Sequence, residues 1–389
     1  MKVVIIGGGI GGLTAGIALR RRGIEAEVYE RNPALMEVGA GISLWPNAVK
    51  ALRALGLSEA LASICPPAAD FTLRRSNGSL LSRTPAREME RRFGGGVVLL
   101  HRAELLEVLA GSFGSFDRDG LHLGYACVGI EEDEDGVTAR FANGAAARAD
   151  VLIGADGLNS VVRNWLGHRD PARYAGYTAW RSVVRFDKAP GLVAPTETWG
   201  CGKRFGIFPL TQGRVYWYAT ANVAEGQAEQ ESAEDLARMF AGWHEPVEAL
   251  ILAAGAAGGA GSAILRNDVY DREPLERWGR GRVTLLGDAA HPMTPNLGQG
   301  ACQAIEDAAE LAWRLASEAS VEAALKGYEA ARVARTRMIV LESRRFGVMG
   351  QVSSPTLCRL RDLAIWMTPN AVSLRGIAPV VGYESGHGD

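Results

Sequence analysis

The chain opens with a pattern of apolar and glycine-rich segments that predicts a strand, a tight turn, a helix and a second strand. Residues 3–6 are continuously apolar, and residues 7–12 consist of glycine except for Ile10. A helical pattern follows over residues 13–22, and residues 26–29 return to a strand-like pattern that ends at Glu30. Short apolar strands on either side of a helix are typical of a parallel βαβ unit.

The glycine turn carries the spacing Gly7-x-Gly9-x-x-Gly12, and each glycine has a physical reason. Gly7 permits the tight turn, Gly9 lets a pyrophosphate approach the backbone, and Gly12 lets the helix pack closely on the strand. The helix N-terminus offers unpaired N–H groups to phosphates. Glu30 follows Gly12 by 18 residues, where an acid can accept hydrogen bonds from ribose hydroxyls. We predict adenine-dinucleotide binding; the alternative is a glycine-rich turn in an ordinary α/β sheet.

The remaining pattern predicts further elements of both kinds. Residues 151–153 and 283–286 read as short buried strands, and aromatic and β-branched residues between 174 and 220 predict an antiparallel sheet with one face on a flat or apolar surface. Residues 121–141 predict two strands around an acidic turn, and Asn77-Gly78 predicts a hairpin. Residues 37–43 read as a glycine-punctuated loop. The later helices are predicted over residues 48–55, 103–109, 233–243, 247–254, 300–316, 323–345 and 357–367.

Composition narrows the class of protein. A chain of 389 residues with 47% hydrophobic and 22% charged residues is typical of a globular protein of two domains. The net charge of −2 implies no attraction to nucleic acid. The five cysteines are scattered without a CxxC motif, which favours reduced thiols over a metal site or a disulfide framework. We predict no signal peptide and no transmembrane segment, and we expect a cytoplasmic protein.

Two later motifs each place an aspartate just after a predicted buried strand. The first is Asp156, within residues 154–160, and the second is Asp288, within residues 285–292. The carboxyl ends of strands are where ligands bind in open α/β sheets. Each aspartate alone is compatible with a helix N-cap. The occurrence of all three motifs in this order is much more specific.

With these motifs the chain resembles the single-component flavin monooxygenases of the para-hydroxybenzoate hydroxylase type, from residue 2 to about residue 345. Residues 295–300 and 304–307 resemble the urate-hydroxylase-like and zeaxanthin-epoxidase-like branch. The resemblance implies an α/β fold in which a GR2-type Rossmann-like FAD-binding domain carries an inserted antiparallel-sheet substrate domain and C-terminal helices. We expect the FAD-binding domain over residues 1–70, 97–172 and 280–345, the substrate domain over 71–96 and 173–279, and a C-terminal helical segment over 346–389.

The resemblance also implies roles for named residues. Glu30 and Arg31 would bind adenosine, Arg102 would approach the pyrophosphate and ribityl chain, and Asp288 would bind a ribityl hydroxyl. Asp156 would serve both FAD and the visiting nicotinamide cofactor. Residues 39–42 would carry the polar edge of the flavin ring on their backbone. The helix start at residues 297–300 would favour the anionic reduced flavin. The predicted cofactor residues are Gly9, Gly12, Glu30, Arg31, Gly41, Ile42, Arg102, Asp156, Asp288, Pro295, Gly298, Gln299 and Gly300.

The implied reaction uses NADH or NADPH to reduce FAD, after which O₂ gives a flavin C4a-hydroperoxide that hydroxylates or epoxidises a planar, electron-rich small molecule. The absence of a second GxGxxG motif predicts that the reductant binds transiently. The resemblance places Arg204 and Tyr216 at the substrate: Arg204 would pair with an anionic oxygen, and Tyr216 would donate to substrate or flavin. The alternatives are a rim arginine and a core tyrosine.

Asn296 is the third predicted catalytic residue, and it departs from the urate-hydroxylase-like pattern, which has an acid there. Asparagine cannot take up a proton at neutral pH, which argues against urate as the substrate. A flavin halogenase shares the glycine-rich start, but the chain lacks the WxWxIP stretch of those enzymes. A non-catalytic dinucleotide-fold binding protein would not need both aspartate motifs. The expected partners are an aromatic or conjugated substrate and O₂, in a monomer or a homodimer.

Overall fold

The structure is a computed structural model, and it describes residues 1–35, 40–66, 69–186, 195–226, 232–256 and 263–384. The fold is α/β, with one parallel sheet, one large and mostly antiparallel sheet, two small sheets and a helical C-terminal part. The predicted fold class is confirmed.

A five-stranded parallel sheet contains the predicted βαβ unit. Its strands, in spatial order, are β17 (Val283–Leu285), β11 (Val151–Gly154), β1 (Lys2–Ile6), β2 (Glu25–Glu30) and β7 (Leu121–Leu123). Every neighbouring pair is parallel. The helices α1 (Ile10–Arg21), α5 (Arg102–Gly114) and α9 (Gly300–Ser317) pack together beside it. The central strands are apolar without alternation because both faces of the sheet are covered.

The prediction of two strands over residues 121–141 is wrong, because the segment forms three. After β7, Gly124 has a positive φ of 78° and the chain leaves the parallel sheet. The next strands, β8 (Cys127–Glu132), β9 (Val137–Phe141) and β10 (Ala146–Ala149), form a separate antiparallel sheet. β7 stays with the parallel sheet because it pairs with Val28–Glu30 of β2, a partner that is remote in sequence.

The predicted loop over residues 37–43 is also partly wrong. Residues 36–39 lie outside the described residues, so the position predicted for Gly39 is not described. From Gly41 the chain forms β3 (Gly41–Leu44), which pairs antiparallel with β6 (Val98–His101). The pairing partner lies more than fifty residues away, and local composition could not indicate it.

The seven-stranded sheet joins the two segments that were expected to form the substrate domain. In spatial order its strands are β16 (Leu265–Asp271), β12 (Arg173–Arg185), β15 (Arg214–Ala221), β14 (Lys203–Pro209), β13 (Thr196–Trp199), β4 (Phe71–Arg75) and β5 (Leu80–Thr84). Its neighbouring strands are antiparallel except for β13 and β4, which are parallel. The exact domain boundaries stay a prediction.

One face of this sheet is covered by α7 (Ala233–Met239) and α8 (Val247–Ala256). Trp180, Phe205 and Trp217 lie in this core with Phe240 and Leu250. The alternation of a strand therefore sends Arg204, Tyr216 and Tyr218 to the opposite face. That face is directed at the parallel-sheet part of the molecule, where Tyr216 packs with Ala40.

The remaining helices complete the fold. They are α2 (Pro46–Ala54), α3 (Ser58–Ile64), α4 (Ala86–Phe93), α6 (Val161–Trp165), α10 (Val321–Gly350), α11 (Pro355–Met367) and α12 (Asn370–Val381). α10 continues through position 346, so the structure has no break where the C-terminal segment was expected to begin. In the described part of the chain, no helix combines the length and the apolar character that crossing a bilayer requires.

Candidate active site

The candidate cofactor site is a cavity of about 740 Å³ at the carboxyl edge of the parallel sheet. Its wall includes residues that follow β1, β2, β11 and β17, because the carboxyl ends of parallel strands meet at one edge. The cavity brings together these predicted cofactor residues: Gly9, Glu30, Arg31, Ile42, Arg102, Asp156, Asp288 and Gly300.

The glycine turn shapes the first wall of the cavity. Gly9 is the N-cap of α1 and makes no side-chain cap, and the space where its Cβ would stand is open. Gly12 lies behind this wall: a Cβ there would overlap the carbonyl oxygen of Gly7. The turn therefore provides backbone N–H groups at the N-terminus of α1, and it also provides the space that a phosphate needs there.

Glu30 ties the segment after β2 to this turn, and Arg102 ties the start of α5 to the segment before β3. Glu30 accepts a hydrogen bond from the backbone N–H of Gly8 at 2.8 Å and two from Asn32, at 2.9 and 2.7 Å. Arg102 begins α5, and its backbone N–H donates to the carbonyl of Ala40 at 2.9 Å. Both bonds from Asn32 go to Oε1 of Glu30, so Oε2, which accepts from Gly8, retains capacity to accept from a ligand hydroxyl.

Asp156 has two roles in the structure. Its carboxylate accepts from Ser160 Oγ at 2.5 Å and from the backbone N–H of Val161 at 2.7 Å, at the start of α6. It also lines the cavity. Burial raises the pKa of Asp156, and these hydrogen bonds oppose that rise. Asp156 therefore both caps the start of α6 and forms part of the cavity wall.

The turn that presents Asp288 is held by a residue that the sequence analysis missed. Asp307 on α9 accepts from the backbone N–H of Gly287 at 3.0 Å and pairs with His291 Nε2 at 2.6 Å. Arg332 donates from Nε to the other oxygen of Asp307 at 2.7 Å. Asp307 thus fixes both ends of the turn around Asp288. The feature of the sequence that could have indicated this role is an acidic residue within the predicted helix 300–316.

The start of α9 forms a second uncapped helix N-terminus. Gly300 and Ala301 line the cavity, and the N-cap residue Gln299 makes no side-chain cap. The side chain of Gln299 points inward and accepts from Asn47 and Gln303, both at 3.0 Å. Pro295, Gly298 and Gln299, like Gly12 and Gly41, are not among the described residues of the cavity wall.

Buried donors near this helix start have no partner among the described residues. They are Trp45 Nε1 and Gln299 Nε2, and the position of a Cβ on Gly298 would lie 2.8 Å from Trp45 Nε1. Two uncapped helix N-termini around one cavity and unpaired donors beside it suit a ligand with a pyrophosphate and a ring rich in acceptors. The residues present therefore fit FAD.

A polar cluster lies on the site-facing side of the seven-stranded sheet. Arg204 is 2% exposed and donates from Nη2 to Asn296 Oδ1 at 2.5 Å and from Nη1 to Glu197 at 3.3 Å. Tyr177 donates its hydroxyl to the same Asn296 oxygen at 3.0 Å, and Tyr218 shares a hydrogen bond with Glu197. Arg204 Nε is buried and has no partner among the described residues. The structure thus brings Arg204 and Asn296 together.

Tyr216 lies apart from Arg204. In the pairing of β14 with β15, Arg204 lies opposite Thr220, and Phe208 lies opposite Tyr216. Arg204 and Tyr216 therefore point to the same face of the sheet but are four positions apart along the strands, a distance of about 13 Å. The ring of Tyr216 lies directly against Gly41, whose missing Cβ leaves room for it. Tyr216 therefore contacts β3, where the flavin edge was predicted, and Arg204 does not.

The tyrosines of this face stay protonated at neutral pH. Burial raises the pKa of Tyr177 and of Tyr216, against the opposing effects of Arg204 and Arg181 respectively. Burial and Glu197 raise the pKa of Tyr218 well above its ordinary value. Burial lowers the pKa of Arg204, but Glu197 and the tyrosines outweigh it, so the pKa of Arg204 is raised. The face therefore presents neutral tyrosine hydroxyls together with the buried ion pair of Arg204 and Glu197, and Arg181 lies on the same face beside Tyr218.

Tyr177, Glu197 and Tyr218 were not predicted as site residues. Glu197 lies on the same face as Arg204, since β13 pairs antiparallel with β14. The period-2 alternation between Tyr216 and Tyr218 was the signal for that residue. Tyr177 and Glu197 had no local signal, because their positions depend on which strands pair.

Comparison with known proteins agrees with this site. Residues 1–343 match the family described as FAD binding domain. The chain is 42% identical to the aurachin C monooxygenase/isomerase of Stigmatella aurantiaca over 363 residues, 93% of each chain. It is 38% identical to the FAD-dependent urate hydroxylase of Klebsiella pneumoniae over 353 residues, 89% of each chain. It also superposes on the crystal structure of Klebsiella pneumoniae HpxO complexed with FAD and uric acid, with a TM-score of 0.89, 35% identity and coverage of 98% and 96%.

These relatives are named monooxygenases and hydroxylases, so the halogenase and non-catalytic alternatives are not supported. The solved relative holds FAD in the same fold. The chain belongs to the FAD binding domain family, and within it to the single-component FAD-dependent monooxygenases.

Proposed function

We propose that this monooxygenase hydroxylates or epoxidises a planar aromatic or heterocyclic compound that carries an ionisable oxygen, with NADH or NADPH and O₂ as co-substrates. One observation carries the proposal: the buried Arg204, although paired through its other nitrogens with Glu197 and Asn296, keeps an unpaired Nε–H on a sheet face that also carries neutral tyrosine hydroxyls. A buried guanidinium with free donor capacity suits an anionic oxygen.

The residues of the site would divide the work as follows. Arg204 holds the substrate as its phenolate or enolate, which raises the electron density on the neighbouring ring carbon. Tyr216, whose ring lies against Gly41, donates its hydroxyl to the substrate or to the cofactor. FAD, when bound, accepts hydride from the reductant and activates O₂. The aromatic sheet keeps water from the reacting atoms.

Asn296 would act by leaving the cation available. Its oxygen accepts from both Arg204 and Tyr177 without contributing a negative charge. A carboxylate there would be a second negative charge beside Arg204, which already pairs with Glu197, and would be able to take up a proton. Because an amide can do neither, we infer that the substrate is an ionisable aromatic or conjugated compound other than urate.

We also propose the cofactor roles that the cavity supports. Glu30 and Arg31 bind the adenosine, and Gly9 and the N-terminus of α1 bind the pyrophosphate. Arg102 and Asp288 bind the pyrophosphate and ribityl region, Asp156 serves FAD and the visiting nicotinamide cofactor, and Ile42 and Gly300 line the cavity beside the flavin. Gly41, Pro295, Gly298 and Gln299 lie outside the cavity wall, and their place around the flavin rests on the family resemblance alone. The five cysteines are free thiols, which supports the inference of a cytoplasmic protein. We infer a monomer or a homodimer.

The test is a substrate screen of the FAD-loaded enzyme with matched pairs, each a phenol or hydroxy-heterocycle and its O-methyl ether. We expect substrate-stimulated NAD(P)H oxidation, O₂ uptake and an oxygenated product with the ionisable member of a pair only. For an accepted compound, Arg204→Gln should lower kcat/KM roughly 10- to 100-fold, as expected for losing a hydrogen bond between charged groups of about 1.5–3 kcal/mol.

The control is Arg185→Gln, since Arg185 is an exposed arginine at the end of β12 in the same sheet. It should leave kcat/KM unchanged. Equal turnover of the ethers and their parent compounds, or equal kcat/KM in Arg204→Gln and wild type, would contradict the proposed role of the cation.

A further inference from the structure

The solvent-facing side of helix α11 consists of large apolar side chains. Leu357, Leu360, Leu363, Trp366 and Met367 are 55%, 59%, 47%, 63% and 67% exposed, and we call these five residues the α11 face. The opposite side of the helix is already buried through Cys358, Arg361 and Asp362. At 100° per residue, Leu360, Leu363 and Met367 lie farthest from that buried side. The helix is therefore apolar where an ordinary surface helix is polar.

Other exposed helices of the same protein follow the ordinary rule. The outer side of α4 carries Glu88 paired with Arg91 and Arg92. The start of α10 carries the exposed pair Glu322 and Lys326. The α11 face thus differs from the polar outer sides of α4 and of the start of α10, and an exposed cluster of several large apolar side chains indicates an interaction surface.

The charges around this face identify what it docks on. Arg359 of α11 and Arg375 of α12 are exposed, and Asp362 is the sole acidic residue in the sequence of these two helices. Asp362 is buried and paired with Arg361 and Arg75. The exposed charge of α11 and α12, both of which contact β5, is therefore wholly positive.

A second copy of the chain meets this surface poorly. In a two-fold dimer the same patch faces itself, so Arg359 and Arg375 would meet the same positive patch and no carboxylate from α11 or α12. An anionic bilayer supplies a negative headgroup for each arginine and an apolar layer for the leucines and Met367. Tryptophan is also favoured at the boundary between headgroups and acyl chains.

We propose that helix α11 is a membrane-surface anchor that lies in the interface of an anionic phospholipid bilayer, with the α11 face inserted and Arg359 and Arg375 at the headgroups. The protein would bind without spanning the bilayer. Insertion of the apolar side chains and attraction of the arginines both contribute, so binding weakens as salt screens the charges.

The experiment is co-sedimentation of the FAD-loaded, full-length protein with large unilamellar vesicles of phosphatidylglycerol and phosphatidylcholine, compared with vesicles of phosphatidylcholine alone. We expect binding to the anionic vesicles that falls with added salt. The double variant Leu360→Glu/Met367→Glu should lower the partition coefficient at least about tenfold. Arg359→Glu/Arg375→Glu should lower binding to the anionic vesicles and leave binding to phosphatidylcholine vesicles unchanged.

The matched control is Val128→Glu, because Val128 is 61% exposed but lies on β8 in the small antiparallel sheet. It should bind vesicles like the wild type. All substituted side chains are exposed, so circular dichroism and FAD content should stay unchanged.

No binding of the wild type to anionic vesicles would overturn the proposal. A lipid-free dimer in sedimentation velocity that is lost in the Leu360/Met367 variant would overturn it in favour of a second copy. Because this test needs no substrate, its failure is distinct from a failure of the proposed function.

Discussion

At the residue scale, the hydrogen bonds of Asn296 explain why this position suits an amide. Its oxygen accepts from Arg204 and Tyr177, and its Nδ2 donates to Thr294 Oγ1 at 2.8 Å and to the carbonyl of Ser343 at 3.0 Å. All four hydrogen-bonding positions of the side chain are therefore used. A carboxylate would keep the bonds from Arg204 and Tyr177 but would lose the bond donated to the carbonyl of Ser343.

We predict that Asn296→Asp destabilises the protein. The new oxygen would face the carbonyl of Ser343, which leaves a buried acceptor unpaired at a cost of about 1–3 kcal/mol. Arg204 already pairs with Glu197, so a second carboxylate beside it would also place two negative charges in one buried cluster. Urea unfolding of the FAD-loaded enzyme should show the loss.

The control is Asn222→Asp. Asn222 also donates to a backbone carbonyl, that of Gln351 at 2.9 Å, but at an exposed position where water can replace the bond. We expect an unchanged free energy of unfolding there. A stability of Asn296→Asp equal to the wild type would show that the Ser343 contact is not what selects the amide.

At the scale of elements, helix α9 carries two adjacent buried acids. Glu306 and Asp307 are 1% and 0% exposed, and Arg332 of α10 bridges both. Burial raises the pKa of each acid, but neighbouring groups outweigh it, chiefly Arg332 for Glu306 and His291 with Arg332 for Asp307, so that the pKa of each is lowered. The bridge joins α9, whose start faces the cavity, to α10.

The lowered pKa values predict how stability depends on pH. The unfolded chain takes up protons on these acids near about pH 4, where the native state still binds none. Their contribution is therefore fully present above about pH 4 and is lost as the pH falls through the lower native pKa values. The free energy of unfolding, measured in urea between pH 3 and 7, should rise with pH in the acidic part of the range.

The variant Asp307→Asn tests the assignment to this pair. It removes one titrating acid and leaves Arg332 with Glu306 alone, which should cost about 3 kcal/mol at neutral pH and reduce the slope in acid. The Kd for FAD should rise, since the turn at Gly287 loses its charged acceptor. Glu322→Gln in an exposed ion pair should change neither quantity. An unaltered acid slope in Asp307→Asn would assign the effect to other carboxylates.

At the scale of the whole molecule, the C-terminal residues are attached to the interior through Arg335. This arginine pairs with Glu306 and donates to the carbonyls of Pro379 and Val380, both at 2.8 Å. Its guanidinium also lies 4.1 Å from the ring centroid of Tyr383. Through Glu306, this contact continues to Asn47 and so to the start of α2.

We predict that Tyr383→Ala lowers the free energy of unfolding by about 1–2 kcal/mol, because a cation–π contact with a largely buried guanidinium is lost. Tyr383→Phe keeps the ring and should retain most of the stability. Urea unfolding of the two variants beside the wild type measures this. Equal losses in both variants would assign the effect to the hydroxyl instead of the ring.

The sequence by itself determined the local units and the edge at which the ligand residues meet. The glycine turn, Asp156 and Asp288 each follow a short apolar strand and Glu30 ends another strand, and the carboxyl ends of parallel strands share one edge. The helix starting at Gly300 was equally readable from its periodicity. These features depend on a few consecutive residues, so their prediction needed no knowledge of distant contacts.

Tertiary structure decided the features that depend on distant partners. The pairing of Arg204 with Asn296 spans 92 residues, and β7 joined the parallel sheet through its remote partner β2. The separation of Tyr216 from Arg204 followed from strand register, and the exposure of α11 followed from which side of an apolar helix found a neighbour. The periodicity of a segment shows which of its sides is apolar. Which other segment packs on that side depends on contacts between distant parts of the chain, and these form only in the folded protein.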